Sequence, residues 1–442
     1  MLLSTTHTFD AAVIDLGPVG EARAPDADRG PEGLPRGWGL LLALGLVLSL
    51  VSAVPLPEAP REVTRQPLRN GAFHLVGGAL LVLQSDRTPT PVAAFDGADG
   101  STRWTYTPDG LATLSYAAAG GDLVVLSPDL CRSGVTGLTV AVDLRSGAQR
   151  WQAIGVPVRT APGVAGTVVL RSLWSDGCGA LAANAPIGGA LRWQALDADG
   201  RTRWEIPVDA GTRVAVDTAE AGAAWAALAD RQGAVSVADF ATGTRTSAGA
   251  LRAGPDDLVA AAGDLLVLAS FDLSGAALTA YRRGAWAAPA WRARVPARPA
   301  SGRTDRFTVR PCGRVLCVAG ERTVVLDPAT GAVLWSAADR TDLTAVPGGL
   351  LAAAGARPAV LLDPATGAPA ARLTGWDVLG ADAHRVLLGA VTGDRTLLGF
   401  GAGTGVAPFA TVDARLDGCE LDGPLVACRT GADEVLLLRL AA

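Results

Sequence analysis

From residue 70 onward the chain alternates short apolar runs with turns rich in Gly, Asp and Pro. GALLVLQS (78–85), GDLVVLSP (121–128), GTVVLRSL (166–173), GDLLVLAS (263–270) and GRVLCVAG (313–320) are examples. Runs this short, bounded by turn formers, predict strands in antiparallel hairpins. The Ala-rich stretch Thr218 to Asp230 has helical propensity, but its place among these runs predicts strand, since propensity is the weaker prior. One segment has a different pattern. Trp38 to Leu56, WGLLLALGLVLSLVSAVPL, carries no charge over its 19 residues, enough for a helix to cross a hydrocarbon layer of roughly 30 Å. Arg23, Arg29 and Arg36 precede it, which predicts a cytoplasmic amino terminus and an extracytoplasmic remainder. A cleaved signal peptide and a buried core helix are the alternatives.

A second run in each unit ends at an Asp that opens a fixed frame. VVLDPATGAVLW places Asp327, Gly331 and Trp335 in the order D-x3-G-x3-W. AAFDGADGSTRW repeats it with Asp96, Gly100 and Trp104, and AVDLRSGAQRW with Asp143, Gly147 and Trp151. QALDADGRTRW has Asp197, Gly200 and Trp204 with one residue deleted. Weaker copies keep Asp239 and Gly243, Asp363 and Gly367, Gly401 and Gly405, or Tyr281 and Gly284. The copies are spaced by about 36 to 54 residues, as in propellers and solenoids. Each unit therefore predicts a hairpin, a third strand, a tight turn and an outer strand. The Asp bonds turn amides, the Gly takes a positive φ, and the Trp covers the contact with a neighbouring sheet.

These copies resemble the PQQ-like, quinoprotein-type β-propeller family, whose hallmark is Ala-x-Asp-x3-Gly-x3-Trp. The resemblance implies an all-β propeller over 70–442; the uncharged run over 38–56 predicts one transmembrane helix before it. Nine hairpin-like runs can be marked, while the family implies eight blades; eight is the expectation, with seven to nine open. The ninth run lacks an outer strand, and residues 62–70 are a candidate to supply it. The expected organisation is a cytoplasmic tail over 1–37, a signal anchor over 38–56, a linker over 57–69 and the propeller.

Composition changes this picture little. The 442 residues carry a net charge of −5 and no basic block, so no nucleic-acid partner is expected. Six cysteines, Cys131, Cys178, Cys312, Cys317, Cys419 and Cys428, suit an extracytoplasmic domain with disulfides. Cys312 and Cys317 flank a tight hairpin, Cys419 and Cys428 a longer one, and Cys131 and Cys178 remain as a third pair. Their spacing is not that of a zinc site.

Candidate chemistry is sparse. His7, His74 and His384 are isolated, and no nucleophile elbow, phosphate loop or zincin motif is present. DGADG (96–100) and DADG (197–200) faintly resemble calcium loops but lack the full ligand ladder. Asp256 and Asp257 read as a solvated loop. The resemblance also admits a PQQ- and calcium-dependent dehydrogenase. Such enzymes carry adjacent cysteines beside the quinone and acidic and Asn ligands for calcium. Here no cysteines are adjacent and Asn occurs at 70 and 184 alone. No cofactor, metal ligand or catalytic residue is therefore assigned. The expected function is a membrane-anchored, non-enzymatic scaffold for a protein, peptide or envelope glycan; the alternative is a quinoprotein or other enzyme using the propeller funnel.

Overall fold

The structure, a computed structural model, describes residues 60–440 except 69, 85–90, 109–115, 121, 128–137, 159–167, 174–190, 218–223, 300–306, 338–341, 355–356, 383 and 403–404. The chain divides into Met1–Leu56 and Pro57–Ala442. The expected tail (1–37) and anchor (38–56) lie outside the described residues, and among those residues no helix is long and apolar enough to cross a membrane.

Among the described residues there is no helix, and the strands form nine four-stranded antiparallel sheets. The first eight blades take their strands in chain order and span 72–106, 116–154, 156–208, 213–252, 258–295, 308–337, 342–372 and 377–412. Within blade 1 the strands Ala72–Val76, Ala79–Leu83, Val92–Asp96 and Thr102–Tyr106 run from inside to outside. First strands of neighbouring blades touch around the ring, for example Arg213–Val216 with Leu258–Ala262 and Leu258–Ala262 with Thr308–Cys312.

The ninth blade corrects the expected count of eight. Leu416–Asp422, Leu425–Thr430 and Glu434–Arg439 supply three strands, and Arg61–Pro67 pairs antiparallel with Glu434–Arg439 as the fourth. The ninth run is a complete blade because the amino-terminal strand finishes it. Part of the stretch assigned as linker is therefore propeller. The ring closes where first and last blades meet: Ala72–Val76 contacts Leu416–Asp422.

Burial explains why the strands are apolar runs and not alternating patterns. Each blade is sandwiched between two others, so both faces of its middle strands are covered. Leu80 and Val82 face blade 9, whereas Ala79, Leu81 and Leu83 face blade 2. Nine apolar clusters fill the nine interfaces, including blades 3 and 4 around Trp193 and Phe240 and blades 8 and 9 around Leu398 and Leu436. The Ala-rich stretch holds the buried strand Trp225–Ala229, in which small side chains allow close packing.

Candidate functional site

The repeat residues build the joints between blades. In the blade 2 turn, the Gly147 amide donates to the Asp143 carbonyl at 2.8 Å and the Asp143 amide to the Ala148 carbonyl at 2.9 Å. Asp143 Oδ1 accepts from the Ser146 amide and hydroxyl, each at 2.9 Å, and Oδ2 from Arg150 at 2.9 Å. These donors, the Ser146 amide first, hold the Asp143 carboxyl down at about 2. Gly147 has φ +69°, and a Cβ there would lie 2.6 Å from the ring of Trp104 in blade 1. The tryptophan of one blade thus stacks on the turn glycine of the next, and its indole Nε1 donates to the Leu144 carbonyl at 2.9 Å. Trp291 and Trp335 dock likewise on Gly331 and Gly367, donating to the Pro328 and Pro364 carbonyls at 2.8 and 2.9 Å. Trp204 docks on Gly243.

The shortened turn breaks the pattern. Gly200 still lies under Trp151, but it donates to the Asp197 carbonyl three residues back, not four. The deletion moves the acceptor carbonyl, and the buried Trp151 Nε1 has no partner. Two docking positions escape the sequence frame. Trp291 was missed because Tyr281 stands in the Asp place and the turn before the Trp is longer; the Trp-Arg-Ala-Arg-Val strand was the available signal. At the ring closure, Thr64 takes the tryptophan position against Gly100.

The remaining sequence candidates have local structural roles. Asp96 accepts from the Ala98 amide at 2.7 Å and from Arg103 at 2.8 Å, and Asp99 from the Ser101 amide at 2.8 Å. Asp363 and Asp327 cap their own turns through Thr366 and Thr330. Asp257 Oδ2 accepts from Gly254 at 2.6 Å, and that loop wraps the buried Arg213 guanidinium with the carbonyls of Gly254, Pro255 and Asp257. Burial pushes Arg213 below its ordinary value, opposed by the charges of Asp257 and Asp256. His384 donates its amide to Asp382 at 2.7 Å; His7 lies outside the described residues. Bridges join Cys312 to Cys317 and Cys419 to Cys428, each across the inner hairpin of its blade, with Cα separations of 5.8 and 4.1 Å. Cys131 and Cys178 lie outside the described residues. Among the described residues no three His, Cys, Asp or Glu side chains gather to hold a metal.

Two features concentrate polar groups on the rim at blades 9, 1 and 2. At the ring closure, Glu420 of blade 9 reaches blade 1, with Oε1 3.0 Å from His74 Nδ1 and Oε2 accepting from the Leu75 amide at 2.8 Å. Asp422 accepts from the Gly78 amide at 3.0 Å. Beside them, between blades 1 and 2, is a cavity of about 550 Å³ lined by Gly77, Arg103, Asp122, Leu144 and Arg145. No period in the sequence announced it.

A family model described as outer membrane protein assembly factor BamB matches residues 58–285, which run from the closing strand into blade 5. No curated protein matches the chain. Among solved structures, BamB from Moraxella catarrhalis is 13% identical with a TM-score of 0.44, covering 86% of this chain and 100% of that one. A computationally designed protein is 11% identical with a TM-score of 0.42, covering 87% and 99%. A quinohemoprotein alcohol dehydrogenase from Pseudomonas putida is 14% identical with a TM-score of 0.42, covering 86% and 76%.

Proposed function

Because the chain belongs to the PQQ-like β-propeller family described as outer membrane protein assembly factor BamB, we propose that it is a protein-binding scaffold of the cell envelope. The observation that carries this reading is the family match itself. The ring supports it: nine blades, five of their joints closed by a docked tryptophan, make a stiff frame with turns at its surface, suited to holding a partner without rearranging. Residues 38–56 would anchor it, with residues 1–37 cytoplasmic and the propeller outside. The two bridged hairpins support that side of the membrane, where disulfides persist. The role is non-enzymatic in this reading.

The test has two arms. Ser101→Cys places a thiol on an exposed turn; labelling of intact cells by a membrane-impermeant maleimide is expected, and labelling only after lysis would overturn the orientation. Photo-crosslinking from rim positions in native membranes should then trap a defined envelope protein. Absence of any specific adduct from every rim position would defeat the scaffold reading.

A further inference from the structure

We infer that the Cys419–Cys428 bridge is a redox-sensitive latch on the inner seam of the ring closure, opened by a dithiol reductant. The latch concerns the ring itself and does not depend on the scaffold reading.

The closure has two parts. On its outer side Arg61–Pro67 pairs with Glu434–Arg439 through the backbone. Nearer the axis, the seam between blades 9 and 1 is held by side chains that reach backbone groups. Glu420 accepts from the Leu75 amide at 2.8 Å, and Asp422 from the Gly78 amide at 3.0 Å. Arg429 donates to the Gly71 carbonyl at 2.8 Å. No tryptophan docks at this joint, where Thr64 stands against Gly100. The seam therefore depends on how firmly the hairpin of Leu416–Asp422 and Leu425–Thr430 presents these three side chains.

The bridge lies in that hairpin. Cys419 precedes Glu420, and Cys428 precedes Arg429. Successive side chains on a strand point to opposite faces. The cysteines belong to the apolar cluster with Leu379, Leu387 and Leu398 of blade 8, while Glu420 and Arg429 reach blade 1. A bond on one face thus sets the position of the groups on the other. The ladder alone sets it less well. Its register shifts between Asp417 and Cys419, with Gly418 at φ +52°. A bulge of this kind interrupts the pairing. Beyond it, four pairs remain before the turn: Cys419 with Cys428, Glu420 with Ala427, Leu421 with Val426 and Asp422 with Leu425. So short a tip opens at little cost. Cys419 with Cys428 is the first pair past the bulge, so the bridge ties the strands where the ladder is broken.

The other bridge is the internal comparison. Cys312 and Cys317 are 0% and 2% exposed, inside the apolar cluster between blades 6 and 7. That joint also has the Trp335 dock on Gly367, and its inner hairpin pairs without a register shift. Cys428 is equally buried, but Cys419 is only partly so. Exchange therefore starts at Cys419. A thiolate of the dithiol attacks Cys419 Sγ, forming a mixed disulfide, and Cys428 leaves as a thiolate that takes up a proton. The second thiol of the reductant then closes its own disulfide and releases Cys419 as a thiol, so two electrons pass to the bridge. The tip past the bulge is then held by its ladder alone, and its opening withdraws Glu420 and Asp422 from the Leu75 and Gly78 amides.

The test uses the full-length purified protein with rising dithiothreitol. Alkylation with peptide mapping reads which bridge has opened, and hydrogen exchange by mass spectrometry reads the seam. Cys419 and Cys428 should be alkylated at concentrations that leave Cys312 and Cys317 bridged. Exchange in peptides covering Leu75 and Gly78 should then speed up by about tenfold or more, which is a local opening easier by about 1.4 kcal/mol. Peptides covering Gly275–Arg282 of blade 5 should be unchanged, and reoxidation should restore the slow rate. The double variant Cys419→Ser with Cys428→Ser should show the fast rate without reductant, whereas Cys312→Ser with Cys317→Ser should keep the slow one. If the first double variant does not fold, graded reduction of the parent gives the same readout. Unchanged exchange at Leu75 and Gly78 after complete reduction of Cys419–Cys428 would overturn the latch and leave the bridge a passive staple. Acceleration spread evenly over all blades would overturn it too, as would opening of Cys312–Cys317 first or at the same concentration.

Discussion

The joint between blades 1 and 2 and the joint between blades 2 and 3 are built from the same parts and differ by one residue. In the first, Trp104 stacks on Gly147 and gives its indole hydrogen to the Leu144 carbonyl. In the second, Trp151 stacks on Gly200, but the turn from Asp197 is one residue short and the buried indole nitrogen has no partner. The stacking geometry survives the deletion because it depends on the glycine alone. The hydrogen bond does not, because it depends on a carbonyl that the missing residue would have positioned. Packing and polar satisfaction are therefore separable at these joints, and substitutions can measure each.

The largest effect should come from removing a whole dock. Trp104→Ala empties a buried site and strands the Leu144 carbonyl, and is expected to cost about 3–5 kcal/mol in chemical denaturation. Trp151→Ala should cost about 1–2 kcal/mol less than Trp104→Ala, since it also removes an unpaired buried donor. Equal losses would mean that the orphaned indole is satisfied in solution.

The glycine under the ring should come next. Gly147→Ala combines a positive φ of +69° with a Cβ 2.6 Å from the Trp104 ring. Gly249 has a similar φ of +66° and open space around it. Gly249→Ala should show the backbone strain alone, about 1–2 kcal/mol, and Gly147→Ala a further 1–3 kcal/mol or so from overpacking. Matching melting shifts for the two variants would remove the close approach as the reason for glycine in the frame.

A smaller substitution isolates the hydrogen bond. Trp104→Phe retains most of the ring but leaves the Leu144 carbonyl unpaired, and should cost about 1–3 kcal/mol more than Trp151→Phe, which removes an unpaired donor. Extending the Asp197 turn by one residue should shrink that difference, provided it restores the acceptor. A Trp151→Phe variant as damaging as Trp104→Phe would show that ring size alone matters.

How much of this was legible in the sequence follows from what repeats. The D-x3-G-x3-W frame is a local pattern, so the turns, the docks of Trp104, Trp151, Trp204 and Trp335, and the propeller itself could be read directly. Both bridged hairpins were legible for the same reason: Cys312 and Cys317, and Cys419 and Cys428, are neighbours through one turn. Trp291 was hidden by Tyr281 and a lengthened turn, because docking depends on the register of the outer strand and not on a fixed spacing. The ninth blade was legible in part: its missing outer strand pointed to residues 62–70, and Arg61–Pro67 does pair with Glu434–Arg439, whereas the expected count of eight came from the family resemblance and not from the nine runs. The cavity was illegible because Arg103, Asp122 and Arg145 meet through the packing of two blades.

The smallest effect lies in the acid range, where the turn carboxylates sharpen the account of the full-length turn. Asp143 is held at about 2 against an ordinary 3.8, by the Ser146 amide first, then the Ser146 hydroxyl and Arg150. The folded state thus favours the ionised form more strongly than the unfolded chain does. Its contribution to stability is complete above the unfolded value near 3.8 and is lost as pH falls through the folded value near 2. The turn lies at the rim, so solvent screening keeps that contribution modest. Asp143→Asn should therefore melt below the parent at pH 6, and the gap should narrow steadily as pH drops from about 4 to about 2. Asparagine can still accept from the Ser146 amide but cannot form the ion pair with Arg150, so part of the gap should also close at high salt. A gap independent of both pH and salt would mean that the Asp stabilises the turn as a neutral acceptor, and that Arg150 contributes nothing at this joint.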